Sequence, residues 1–265
     1  MLIFKEFKQV ISRQELLTQM TMREIKSRYK QSIMGYFWVI LNPFFQILIM
    51  SFVFSTIMRI PTNASADIPY IVFLYVGLLP WTLFSASLAS ASGSIVGNAS
   101  LVTKVYFPRT ILPISTIFAK IIDFIFASTI LIFFMIIYQV PVNLNIIWVV
   151  PIFFIQQIFT LGLSLFLSAI NLVYRDIQYL LNLIISLWFY LTPIVYPTDI
   201  VPDRYKIIFK LNPMSVIINA YRESILAGGI PSLSSLLIAF IVSLLTLYLG
   251  FIYFKKLERT FSDNV

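Results

Sequence analysis

The chain has no cysteine, no histidine and only eight glycines among its 265 residues. Without cysteine there is no disulfide framework, no thiolate nucleophile and no thiolate metal site. Without histidine the chain lacks the side chain that titrates near neutral pH and the commonest metal ligand, which leaves carboxylates alone for acid–base work. Charge is scarce too, at 11% of residues against 59% hydrophobic, a balance that excludes a soluble domain of this size. The apolar blocks run for about twenty residues without the alternation that barrel strands need, so the fold class is all-α and integral to a membrane. The opening residues carry no basic segment, apolar run and small-residue cleavage site in that order, and the whole chain is read as mature.

Six spans are expected, at 36–58, 68–91, 111–138, 146–172, 179–196 and 233–254. The fifth is short and stops at Thr192-Pro193, after which Pro197, Pro202 and Pro213 punctuate a connection that reaches Pro231. Its two moderately apolar stretches, 205–211 and 214–226, predict short helices that dip toward the bilayer. No repeat, low-complexity tract or Gly/Ser-rich linker divides the chain, which reads as one membrane domain over 1–265. Within it, 1–35 is an interface-helix region, 36–254 the six-span core and 255–265 a tail.

Near the start, Ile3, Phe4, Phe7, Val10 and Ile11 gather on one side of a helical wheel. That pattern predicts a helix lying in the membrane interface or packed on a partner protein. The stretch 23–50 then joins a basic run directly to a long apolar span, and Arg23, Lys26 and Lys30 form a stripe suited to lipid phosphates. Thirteen lysines and arginines fall in the segments on the side of the termini and five on the other, which predicts both termini inside the cell.

Few constellations offer chemistry. No G-x-x-x-x-G-K-[ST] phosphate loop is present, so any ATP-driven work needs energy from another polypeptide. The loop at 94–113 offers a contact, with a helix start at Asn98-Ala99-Ser100, an apolar face of Leu101, Val102 and Val105, and a stop at Pro108. The plainer reading is a connector between two spans. Asp123 follows Lys120 by three residues and is expected to pair with it near the cytoplasmic end of the third span; a proton-coupled site has the same look. Arg175 and Asp176 form a turn after the fourth span, and Gln46, Gln157, Asn171 and Asn182 are candidates to bridge helices or face a wet lumen.

Six motifs in order carry a resemblance: R-E-x-K-x-R-Y-K-Q-S-x-x-G with F-W and N-P, G-L-L-P-W, L-V-T-K-V-Y-F-P-R-T-I-L-P, Y-R-D-I, F-Y-L-T-P-I-V-Y-P and L-N-P-M. Over nearly its whole length the chain resembles the polysaccharide-export branch of the type-2 ABC exporter permeases, which carry O-antigen, teichoic acid and some capsules. The resemblance implies a homodimer of six-span permeases with two copies of a separate cytoplasmic ABC ATPase, in a bacterial inner membrane. It implies no cofactor on this chain, with ATP and Mg on the partner subunit, and no nucleic acid. The ATPase-coupling residues it implies are Asn98, Leu101, Lys104, Phe107 and Arg109, with an external gate over 205–226. The implied cargo is a polysaccharide on a polyprenyl pyrophosphate. Arg23, Arg28 and Lys30 suit its head because guanidinium and ammonium groups make charge-assisted bonds to phosphate. Tyr36, Phe37, Trp38, Phe44 and Phe45, with Trp188, Phe189 and Tyr190, are candidates to line a sugar channel, although most membrane aromatics simply pack or belt the interface. The competing functions are a drug or small-lipid exporter of the same fold, a membrane-embedded glycosyl- or acyltransferase, and a secondary transporter. A transferase needs an acid, base or metal constellation, and Asp199, Asp203 and Glu223 are scattered among basic residues.

Overall fold

A computed structural model describes residues 2–29, 34–60, 68–259 and 261. Every regular element among them is helical. Two helices precede the bundle, α1 (Leu2–Ser12) and α2 (Gln14–Tyr29). The first span is α3 (Trp38–Ser51), entered through a 3₁₀ turn at Gly35–Phe37 and continued as a π-helical stretch, Phe52–Ile57. There follow α4 (Tyr70–Ser92), the short α5 (Ala99–Lys104), α6 (Ile111–Ile137) and α7 (Val149–Val173). The chain then forms α8 (Ile177–Tyr190), α9 (Lys206–Leu211), α10 (Pro213–Ile225) and α11 (Leu233–Glu258).

Five helical segments are long and apolar enough to cross a membrane: Gly35–Ile57, Tyr70–Ser92, Ile111–Ile137, Leu144–Val173 and Leu233–Glu258. The fifth predicted span takes a different form. Its helix, α8, has 14 residues, about 21 Å at 1.5 Å per residue against a hydrocarbon core of about 30 Å. Residues 191–196 continue it as an irregular turn, because Pro193 denies the helix a backbone donor.

The bundle is built around α4, which is apolar on all sides and 83% buried over its most hydrophobic window; α6, α7 and α11 are each 28% buried and the first span 11%. α6 and α7 flank α4, α3 lies against α4 and α6, and α11 packs along α7. The α7–α11 contact is close because two glycines face each other. A Cβ on Gly250 would stand 2.1 Å from the Gly162 carbonyl oxygen, and one on Gly162 would stand 2.5 Å from the Leu247 nitrogen. Polar side chains fasten other pairs. Asn171 donates to the Ser92 carbonyl at 3.0 Å, the helix bridge expected of it. Gln156, rather than its neighbour Gln157, reaches from α7 to the Pro80 carbonyl at 2.8 Å. α1 and the C-terminal end of α11 lie on one face of the bundle, the terminal face, where Lys255 pairs with Glu6 at 2.5 Å; α9 and α10 lie at the opposite, far face.

The α1 helix packs on its own chain. Val10 is buried in the apolar cluster of Ile95, Val102, Phe107, Leu112, Phe254 and Phe261, while Ile11 is exposed. The side chains of Ile3, Phe4 and Phe7, the rest of the predicted apolar face, lie outside the described residues.

Candidate functional site

At the terminal face, Glu15 of α2 stands in its first turn and Lys26 and Arg28 in its last, the distribution that complements a helix dipole. The helix packs along the first half of α6 and brings its cations to two anchors. Arg28 Nη1 donates to Asp123 Oδ2 at 2.7 Å and Nη2 to Glu24 Oε1 at 3.1 Å. The expected Lys120–Asp123 pair is present at 3.6 Å, and Arg28 joins it. Asp123 stands near the midpoint of α6, about 18 Å along the helix from Ile111, deeper than a position at the end of the span. The second anchor belongs to Arg23, whose guanidinium donates to the Asn98 side-chain oxygen. A residue proposed for the lipid head and one proposed for ATPase coupling are thus directly bonded. Lys30 lies outside the described residues.

The loop between α4 and α6 folds inward more than its pattern suggests. Asn98 donates back to the Ser94 carbonyl at 2.7 Å, Leu101 is half-buried, and Phe107 is buried in the cluster around Val10. Arg109 turns toward the C-terminal end of α11, donating to the Glu258 carbonyl at 2.6 Å with its guanidinium over the Phe261 ring. Lys104 faces outward, and so do Val105, which the pattern placed on the apolar face with Leu101 and Val102, and Tyr106, which is 94% exposed. α5 ends at Lys104 and Val105 is extended, and beyond it Tyr106 stands out while Phe107 turns into the core. Arg13 holds this tip from the turn between α1 and α2, donating to the Tyr106 carbonyl at 3.3 Å. Between them lies a cavity of about 490 Å³ whose wall includes Glu6, Arg13, Tyr106, Arg109, Lys255 and Glu258.

The predicted channel aromatics fall into two sets on different flanks of α4. On the first span, Tyr36 stands 5.9 Å from Phe126, and Phe44 stacks on Phe134 at 6.0 Å, both on α6. Phe37, Trp38 and Phe45 are exposed. On α8, Trp188 packs edge-on against Phe84 at 5.2 Å and Phe159 at 6.2 Å, and its indole donates to Asn212 at 3.0 Å. Phe189 packs on Trp81, whereas Tyr190 is exposed. Trp188 is therefore fixed by the core. Arg175 and Asp176 are exposed in the turn between α7 and α8.

At the far face the two short helices appear where the pattern placed them. Asn212 caps α10 by accepting from the Met214 N–H at 3.1 Å, with Pro213 at the first helical position. Arg222, which counts as a loop charge in the sequence, is instead buried. It donates to the carbonyls of Pro193 at 2.6 Å and Ile194 at 2.5 Å and lies 3.7 Å over the Phe73 ring. Gly77 makes room for it, since a Cβ there would stand 2.7 Å from the guanidinium. Burial pulls the Arg222 pKa down to about 9, which leaves it charged at neutral pH. No group of three or more acidic side chains that could hold a metal ion occurs among the described residues.

Residues 15–226 match the ABC-2 type transporter family model. The chain is 34% identical over 251 residues to an O-antigen export system permease protein RfbA of Klebsiella pneumoniae, covering 94% of each chain. It is 29% identical to the RfbA permease of Myxococcus xanthus, over 94% of this chain and 95% of that one. It is 25% identical to the polysialic acid transport protein KpsM of Escherichia coli, over 90% and 92%. With the family model covering most of the chain and the relatives aligned nearly end to end, the protein is a member of the ABC-2 type transporter membrane family.

Proposed function

We propose that the chain is one half of a homodimeric export permease that moves polyprenyl-pyrophosphate-linked polysaccharide outward across a bacterial inner membrane. An O-antigen-like glycan is the favoured cargo, with teichoic acid or capsule as related ones. Two copies of a separate ABC ATPase supply the energy, holding ATP and Mg on their own surfaces, and both termini of the permease face the cytoplasm.

The observation that carries this reading is the double anchorage of α2. One basic helix meets Asp123 in the bundle through Arg28 and the loop at 94–113 through Arg23. In this reading Arg23, Arg28 and Lys30 receive the pyrophosphate, for which guanidinium groups are suited by charge and by their paired donors. Tyr36, Phe37, Trp38 and Phe45 begin a sugar path on the exposed side of the first span, and Phe44, Trp188 and Phe189 brace its walls. Asn98, Leu101, Lys104, Phe107 and Arg109 form the ATPase-coupling loop, in which Phe107 and Arg109 shape the fold and Tyr106 supplies the outward contact. α9 and α10 form the external gate.

The test is reconstitution with the partner ATPase in vesicles loaded with polyprenyl-pyrophosphate-linked O-antigen. ATP should drive the glycan across, and Arg28→Ala should abolish transport while leaving insertion and ATPase pairing intact. Normal transport by that variant removes Arg28 from the head site. Transport of drugs or small lipids without the glycan, or sugar transfer by the purified chain alone, overturns the function itself.

A further inference from the structure

In the reading above Arg28 has a lipid pyrophosphate to bind, yet its guanidinium is already occupied. Asp123 Oδ2 accepts from it at 2.7 Å and stands 3.6 Å from Lys120 Nζ, while Glu24 lies 3.1 Å from its other nitrogen. Two cations face two carboxylates, so the cluster as it stands exerts little net attraction on a distant anion. Asp123 holds both cations with one oxygen. Its other oxygen, Oδ1, is buried and has no hydrogen-bond partner among the described residues, an arrangement that a purely structural pair rarely leaves in place. Asp123 and Lys120 also form the charged end of a cavity of about 200 Å³ between α3, α4 and α6, whose wall includes Trp38, Asn42, Gln46 and Thr82. The cluster therefore has space beside it, with polar groups along the way.

We propose that Asp123 is an internal stand-in for the lipid diphosphate: it holds Arg28 and Lys120 when no head group is present, and the head group displaces it. The inference rests on the assignment of Arg28 to the head site, and it adds Lys120 to that site. A diphosphate offers several oxygens and more negative charge than one carboxylate, so it forms bonds to both cations that Asp123 makes singly. A weaker anion has less to offer in exchange for the pair it must break. The stand-in thus acts as a filter, because selectivity is a difference between affinities and an internal competitor removes the weaker binder first.

Binding of farnesyl diphosphate and farnesyl monophosphate to the purified full chain in detergent tests this. The wild type should prefer the diphosphate. Asp123→Asn, which removes the competitor and keeps the shape, should bind both ligands roughly tenfold tighter, equivalent to about 1.4 kcal/mol, and lose part of the preference. Glu24→Gln removes the same charge without the bond to α6 and should tighten binding by about twofold or less, which separates displacement from general electrostatics. Unchanged or weaker binding by Asp123→Asn overturns the proposal. The wild type gives a second readout that needs no variant: labelling of Asp123 by a hydrophobic carbodiimide, followed by mass spectrometry, should rise on addition of farnesyl diphosphate as the carboxylate loses its cations and takes up a proton. Equal or reduced labelling also overturns displacement. If Arg28→Ala binds the diphosphate like the wild type, the head-site assignment fails; if it loses binding while Asp123→Asn does not tighten, only the displacement fails.

Discussion

Arg222 ties three parts of the far face together with one side chain: α10 that carries it, the turn after α8 that accepts its hydrogen bonds, and α4 that supplies Phe73 and the gap at Gly77. Replacing it with methionine would leave the Pro193 and Ile194 carbonyls buried without their donors, at a cost of about 3 kcal/mol for two bonds to a charged group. Arg222→Met should therefore unfold at a clearly lower temperature in detergent, and Arg222→Lys should recover only part of the loss because an ammonium lacks the guanidinium fork. Thermal unfolding of the purified protein checks both. Residue roles of this kind were the least legible in the sequence. Arg222 stands in a mixed-polarity stretch that resembles any external loop, and the carbonyls it bonds precede it by 28 and 29 residues. Arg28 and Asp123 are 95 positions apart, so no local pattern links them, whereas Lys120 and Asp123 share a helix turn and were predicted as a pair.

Among the helices, the close seam between α7 and α11 depends on having no side chain at Gly162 and Gly250. Gly250→Ala would set a methyl group against a backbone carbonyl, which cannot rotate away, and overpacking of this kind costs about 1–3 kcal/mol. The expected outcome is a lower unfolding temperature and less monodisperse protein on size exclusion, while Leu245→Ala, on the exposed side of α11, leaves both nearly unchanged. Helices were read more successfully than residues because a long apolar run has few other uses. Prolines marked the boundaries well: the break at Thr192-Pro193 coincides with the end of α8, and Asn212-Pro213 with the start of α10. The pattern did not give the length of α8, since an apolar stretch that ends in an irregular turn has the same composition as one continuous helix. Nor did it give the partner of α1, because an apolar stripe can rest on lipid, on another protein or, as Val10 does, on its own chain.

For the whole molecule, fold class followed from composition alone, while orientation depends on where the charges lie once folded. Burial of Arg222 removes one of the five cations assigned to the far face and sharpens the charge asymmetry that predicts the termini inside. Because the chain has no native cysteine, a single introduced one reports its own position without background. Gln14→Cys on α2 should resist a membrane-impermeant maleimide in intact inner-membrane spheroplasts and react after permeabilisation, whereas Asp203→Cys at the far face should react at once; the reverse pattern would invert the topology. The bond between Arg23 and Asn98 extends across the same architecture. If the head group binds on α2 and the ATPase on the loop at 94–113, the two events share a hydrogen-bonded link, and equilibrium thermodynamics makes their influence mutual. Whatever factor a bound lipid head adds to the permease's affinity for its ATPase, the ATPase must return to the affinity for the lipid, so a loaded transporter and an assembled one favour each other by the same free energy.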